Sequence, residues 1–140
     1  MGVVRPLDDE IRARLERART IAVVGASRHE AKPAHRIPRY MQARGYRIIP
    51  VNPNASEILG EPARPSLLDV TEPVDVVDVF RPPGEAPGIA RAAIAIGAKA
   101  LWLQSGIVSE EAAGIAAGAG MLVVMDSCLE VAHRMLLAGR

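Results

Sequence analysis

Apolar positions along the chain fall into two alternating kinds of run. Leu7, Ile11, Leu15 and Ala18 recur at i, i+4, i+8 and i+11 on an otherwise charged stretch, which predicts an amphipathic helix over 7–18. Asp8 and Asp9 lie in its first turn, where acids suit the positive end of the helix dipole. The run TIAVVGAS (20–27) is then apolar up to Gly25, the pattern of a short strand covered on both faces. A helix from about Ala34 to Arg44 follows, closed by Gly45, and Pro38 inside it predicts an irregular first turn.

The alternation continues to the end of the chain. YRIIPVNP (46–53) predicts a second strand, although Pro50 has no N–H for a ladder. Residues 54–72 show no long period and contain Pro62 and Pro65, so they read as loop with a short helical turn. VDVVDVF (74–80) is the third strand, Glu85–Ile96 a helix, and KALWLQ (99–104) the fourth strand. Ser109, with Glu110 and Glu111 behind it, caps the next helix. MLVVMDS (121–127) is the fifth strand and 129–137 the last helix, for which Asp126 or Ser127 is the expected cap. Such alternation predicts an α/β fold: a doubly wound, parallel, five-stranded sheet with an extra N-terminal helix. Right-handed crossovers with a reversal after the third strand give the expected order 3-2-1-4-5, a Rossmann-like arrangement. The 140 residues contain no internal repeat, low-complexity segment or linker, so one domain is expected to fill 1–140.

Composition narrows the function classes. Seventeen Lys+Arg against sixteen Asp+Glu leave a net charge of +1, and aromatics are 3%. Nucleic-acid binding through bulk charge or base stacking is therefore not expected. One cysteine excludes an internal disulfide framework and a multi-thiolate zinc site. With no apolar run long enough to span a bilayer and no signal-type stretch, a cytoplasmic protein without a membrane partner is expected.

In a doubly wound sheet, ligands bind beyond the carboxyl ends of the strands, near the point where strand order reverses. The polar and conformationally special residues collect there: Gly25-Ala26-Ser27-Arg28, Asn52-Pro53-Asn54, Phe80-Arg81-Pro82 and Gln104-Ser105-Gly106. Against the dinucleotide fingerprint G-x-G-x-x-G, the first turn keeps only Gly25, with Ser27 and Glu30 at the other two glycine positions. A tight turn leading to a helix N-terminus remains, and that suits a phosphate. The second strand ends in Asn52, not in the acid that holds an NAD ribose, which disfavours a plain NAD enzyme. Arg28, His29, Lys32, Arg36 and Arg39 form a basic cluster beside the turn, suited to further phosphates. Neither Cys128 with His133 nor Asp75 with Asp78 has the spacing of a catalytic pair, and no metal-ligand pattern is present.

IAVVGAS, YRIIPVNP, VDVVDVF-RPP, IGAKALWLQSGI and VVMDSC…H, in that order from about Ile21 to His133, resemble the small stand-alone coenzyme A-binding proteins. Those proteins are in turn similar to the nucleotide-binding domain of the succinyl-CoA synthetase α subunit. The resemblance implies a Rossmann-like fold that binds CoA or an acyl-CoA across the strand ends. By position, Gly25, Ala26, Ser27 and Arg28 would meet the pyrophosphate, with Pro53 and Asn54 near the nucleotide. Phe80, Arg81 and Pro82 would form the next wall, and Gln104, Ser105 and Gly106 would stand where the synthetases carry a Glu-Gly turn. Gln104 and Ser105 depart from that acidic pattern. The basic cluster, Arg36 included, or the second-strand loop would take the ribose phosphate. The synthetases' phosphorylated histidine belongs to a second domain, so a non-catalytic CoA-binding module is the expectation. An NAD(P)-binding regulator and an enzyme acting on an acyl-CoA thioester are the alternatives.

Overall fold

The computed structural model describes residues 4–137. Helix α1 (Asp8–Arg17) buries Ile11 and Leu15 and places Asp8, Asp9 and Glu10 in its first turn. Strand β1 (Thr20–Val24) leads through Gly25 into α2 (Pro33–Ala43), then β2 (Arg47–Val51). Two short antiparallel strands, β3 (Glu57–Ile58) and β4 (Glu61–Pro62), and a 3₁₀ turn (Leu67–Asp69) precede β5 (Val76–Val79). The rest alternates: α3 (Ala86–Ala95), β6 (Ala100–Leu103), α4 (Glu110–Gly118), β7 (Leu122–Val124) and α5 (Leu129–Leu136).

The α/β class, the parallel five-stranded sheet and the extra N-terminal helix are as the sequence predicts. The sheet order is β2-β1-β5-β6-β7. The third of the five strands therefore pairs with the first, not with the second, and the expected 3-2-1-4-5 is corrected to 2-1-3-4-5. Pro50 gives the physical reason. It lies in β2 opposite Val23, and its carbonyl accepts from Arg64 N–H (2.9 Å) on the side away from β1. A residue's N–H and C=O point to the same side of a strand, so the missing N–H faces the outer edge, where proline is tolerated. In the order 3-2-1 that side of β2 would face a full ladder. The third strand is instead buried at every residue, as a central strand should be, and Asp75 Oδ2 ties its start to β1 by accepting from Arg19 N–H (2.8 Å) and Thr20 N–H (3.0 Å).

Each face of the sheet carries its own core. On one face Ile11, Leu15, Ile37, Met41, Leu129 and Ala132 from α1, α2 and α5 pack over Ile21, Val23, Ile48 and Trp102. On the other, the alanines of α3 and α4 pack over Ala22, Val77, Val79, Leu101 and Leu103. Small side chains let these two helices lie close to the sheet, which explains how so few aromatics suffice. The loop after β2 is fastened by Glu72, which accepts two hydrogen bonds from Arg64 (2.9 and 2.5 Å) and one from Arg47 (2.9 Å). Those guanidinium bonds hold the Glu72 carboxyl down at about 2.

Candidate functional site

With this order, the direction in which successive strands are added to the parallel sheet reverses between β1 and β5. The loop after β1 runs to α2 on one face and the loop after β5 to α3 on the other, leaving a crevice between their carboxyl ends. Gly25 sets its floor. Its φ of +88° is a left-handed conformation, and a Cβ there would lie 2.6 Å from the carbonyl oxygen of Phe80. Gly25 N–H donates to Val51 O (3.0 Å) and Phe80 N–H to Val24 O (2.9 Å), so three strand ends are laced together at this residue.

The turn beyond Gly25 is built from hydrogen bonds that the sequence explains. Pro38 cannot donate to the carbonyl one helical turn back, that of Ala34, and this freed oxygen accepts from Ser27 N–H (3.1 Å). Pro38 thus joins α2 to the turn instead of disrupting it. Ser27 Oγ accepts from His29 N–H (3.0 Å), and His35 Nδ1–H donates to Ser27 O (2.7 Å). Asn52 is a brace between loops, its Nδ2 donating to Ala26 O (2.9 Å) and its Oδ1 accepting from Asn54 N–H (2.7 Å). The N–H groups of Gly25 and Ser27 are spent inside the chain, leaving those of Ala26 and Arg28 as the donors of the turn. At the start of α2, Ala34 N–H has no intrahelical acceptor, and no acid occupies that first turn.

A cleft of about 920 Å³ opens over this turn. Gly25, Ala26, Ser27 and Arg28 line it, as do Pro53, Asn54, Phe80 and Arg81. Its far walls are Pro65–Leu68 and, on α3, Gly88, Ile89 and Ala92, which the strand-end reading of the sequence did not include. His29 and Lys32 of the basic cluster also line it, whereas Arg39 does not. Among the described residues, Arg28 and Lys32 have no carboxylate partner, so their charge is open to an anion. Arg81 is engaged: its guanidinium donates twice to Glu85 (3.0 and 2.6 Å), which raises the arginine's affinity for its proton and lowers that of the glutamate.

A second cavity of about 510 Å³ adjoins the cleft, sharing Lys32, Ala34, Phe80 and Arg81 with it. Arg36, Pro82, Gln104 and Ser105 line this one, so the named positions divide between two neighbouring spaces. Gly106 lines neither; its N–H donates to Asp126 Oδ1 (2.7 Å). Asp126 therefore does not cap α5. Cys128 is the N-cap residue without a side-chain bond, and Gln104 Oε1 accepts from Leu129 N–H (3.3 Å) in its place. The amide Nε2 of Gln104 donates to Asp78 Oδ1 (2.6 Å). Asp78 is fully buried and its Oδ2 has no partner, so desolvation raises the carboxyl pKa to about 7 against the smaller, opposing effect of Gln104. The signal for this group was Asp78, the second of two acids in the otherwise apolar run 74–80. His133 is buried between Tyr40 and Tyr46, with Nδ1 on Tyr40 OH (2.9 Å), and lines neither cavity. Among the described residues, no three His, Cys, Asp or Glu side chains converge on a metal position, and no helix is long and apolar enough to cross a membrane.

A parallel sheet of this order with a basic crevice at its reversal point is a Rossmann-like ligand-binding fold. More specifically, the chain belongs to the CoA binding domain family, which it matches over residues 19–134. It is 41% identical over 128 residues to the uncharacterized protein YneT of Bacillus subtilis, across 91% of this chain and 95% of that one. To an ADP-forming acetate–CoA ligase II of Archaeoglobus fulgidus it is 35% identical over 95 residues, 66% of this chain but only 14% of the ligase. Among solved structures, the protein called cell-free ID.343 from Thermus thermophilus superposes with a TM-score of 0.90 at 46% identity, over 94% of this chain and all of that one.

Proposed function

We propose that one domain spanning the chain binds coenzyme A or an acyl-CoA without chemical turnover, its pyrophosphate seated on the turn Gly25–Arg28. The observation that carries this reading is the cleft over that turn. It combines a glycine that admits no side chain, free N–H groups at the turn and at the start of α2, and two unpaired cations, Arg28 and Lys32. Asn54 and Pro53 border the nucleotide end, and Lys32 stands where the ribose phosphate would be met. Family membership supports the choice of CoA over other nucleotides, and Asn52, committed to bracing two loops, is not an acid that could hold an NAD ribose.

Thermal unfolding in parallel with CoA, dephospho-CoA, NAD and NADP tests this. A ligand at a hundred times its Kd stabilises by roughly 2.7 kcal/mol, on the order of 5–11 °C for a domain of this size. A shift with CoA, smaller with dephospho-CoA, is expected, and a Ser27→Asp/Arg28→Glu double variant should fold but lose it. A shift with NAD or NADP alone would refute the proposal.

A further inference from the structure

The second cavity has a composition unlike that of the cleft beside it. Its apolar lining is Ala34, Ile37, Phe80 and Ile107 with the exposed Pro33 and Pro82, and no carboxylate lines it. The cations Lys32, Arg36 and Arg81 are exposed and stand at its rim. Of its polar lining residues, Ser105 is exposed and Cys128 half-buried, whereas Gln104 is 97% buried. The orientation of that amide is fixed, because Oε1 faces Leu129 N–H and Nε2 faces Asp78. An amide nitrogen carries two N–H groups, so one donor remains after the bond to Asp78. An apolar space with a single buried, oriented donor suits a carbonyl attached to a hydrocarbon. The four shared wall residues set it directly beside the nucleotide cleft, next to a ligand held there by its phosphates.

We infer that this cavity is an acyl chamber, which makes the ligand class a short, uncharged aliphatic acyl-CoA in preference to free CoA. The inference rests on the CoA-binding reading above. The acyl chain lies against Ile37, Phe80 and Ile107, and the free N–H of Gln104 donates to the thioester carbonyl. A dicarboxylic acyl group is disfavoured, since its terminal carboxylate would be desolvated against Ile37, Phe80 and Ile107, while Lys32, Arg36 and Arg81 are exposed to solvent.

Titration calorimetry with CoA, acetyl-, butyryl-, hexanoyl- and succinyl-CoA tests the assignment. Burial of each methylene tightens binding about fourfold, so butyryl-CoA should bind roughly 15-fold more tightly than acetyl-CoA. Ile107→Phe and Cys128→Leu narrow the chamber from two different walls. In whichever of them retains the wild-type far-UV spectrum and a cooperative melt, chain-length dependence should flatten while the Kd for free CoA stays within about twofold. Equal affinity of the wild type across the series, or a preference for succinyl-CoA, overturns the chamber and leaves the CoA reading standing. A butyryl preference that survives in the narrowed, folded variants overturns it as well. Failure of wild type to bind any member, free CoA included, overturns both readings together.

Discussion

Replacing Asp78 by asparagine should convert a pH-dependent protein into a flatter one, and the sign follows from the burial of that side chain. Its carboxyl titrates at about 7 in the folded state against an ordinary value of 3.8. Between those values the folded chain holds a proton that the unfolded chain has released, so stability falls as pH rises from about 4 to about 7. Roughly three pH units at 1.36 kcal/mol each place the loss on the order of 4 kcal/mol, complete above the folded value. The asparagine of Asp78→Asn can keep its Oδ1 toward Gln104 Nε2, so the bond that orients the amide survives. Urea denaturation of both proteins at half-unit steps from pH 5 to pH 8.5 gives the curves. His133, whose pKa is lowered by burial, contributes the opposite slope, losing stability as pH falls below its unfolded value. It is common to both proteins and cancels in their difference. The difference curve should rise toward alkaline pH in favour of Asp78→Asn, which becomes the more stable protein by pH 8. Parallel curves would refute the claim that Asp78 is held protonated by desolvation.

Other perturbations test separate parts of the account. Gly25→Ala forces an L residue into φ +88° and a Cβ against Phe80 O, and should destabilise by on the order of 2–4 kcal/mol in urea denaturation. Glu85→Gln releases the Arg81 guanidinium into the cleft; because the pair is exposed, stability should change by less than about 1 kcal/mol, while calorimetry should show tighter CoA binding that weakens with salt. Gln104→Leu strips the partners from buried Asp78 Oδ1 and Leu129 N–H and should cost about 2–4 kcal/mol, read from the denaturation midpoint. Trp102→Phe removes the 2.8 Å bond to Ser127 O and should cost about 1 kcal/mol in the same assay.

The elements themselves were readable because each strand of this sheet is a short apolar run and each helix carries its own stripe or cap, Ser109 Oγ accepting from Ala112 N–H among them. Strand order was not, since periodicity reports what a strand buries and not which neighbour it pairs with. Pro50 held that information, because a proline whose free side must face outward marks an edge. The small hairpin β3–β4 escaped notice for a local reason. Its turn is Leu59-Gly60, and Leu59 adopts a φ of 57° that leucine rarely takes, supported by Gln42 Nε2 on its carbonyl (3.1 Å). At the candidate site, the strand-end residues were legible from the rule for doubly wound sheets. Their division into two spaces was not, because it depends on how α2, α5 and the 65–68 segment approach one another.

The most direct test of the central claim is a crystal structure of the protein soaked or grown with CoA. Pyrophosphate density is expected within hydrogen-bond reach of the Ala26 and Arg28 N–H groups, with the pantetheine arm passing Phe80 toward Gln104. CoA bound at any surface other than the β1–β5 crevice, or a crevice still empty under saturating ligand, would contradict it.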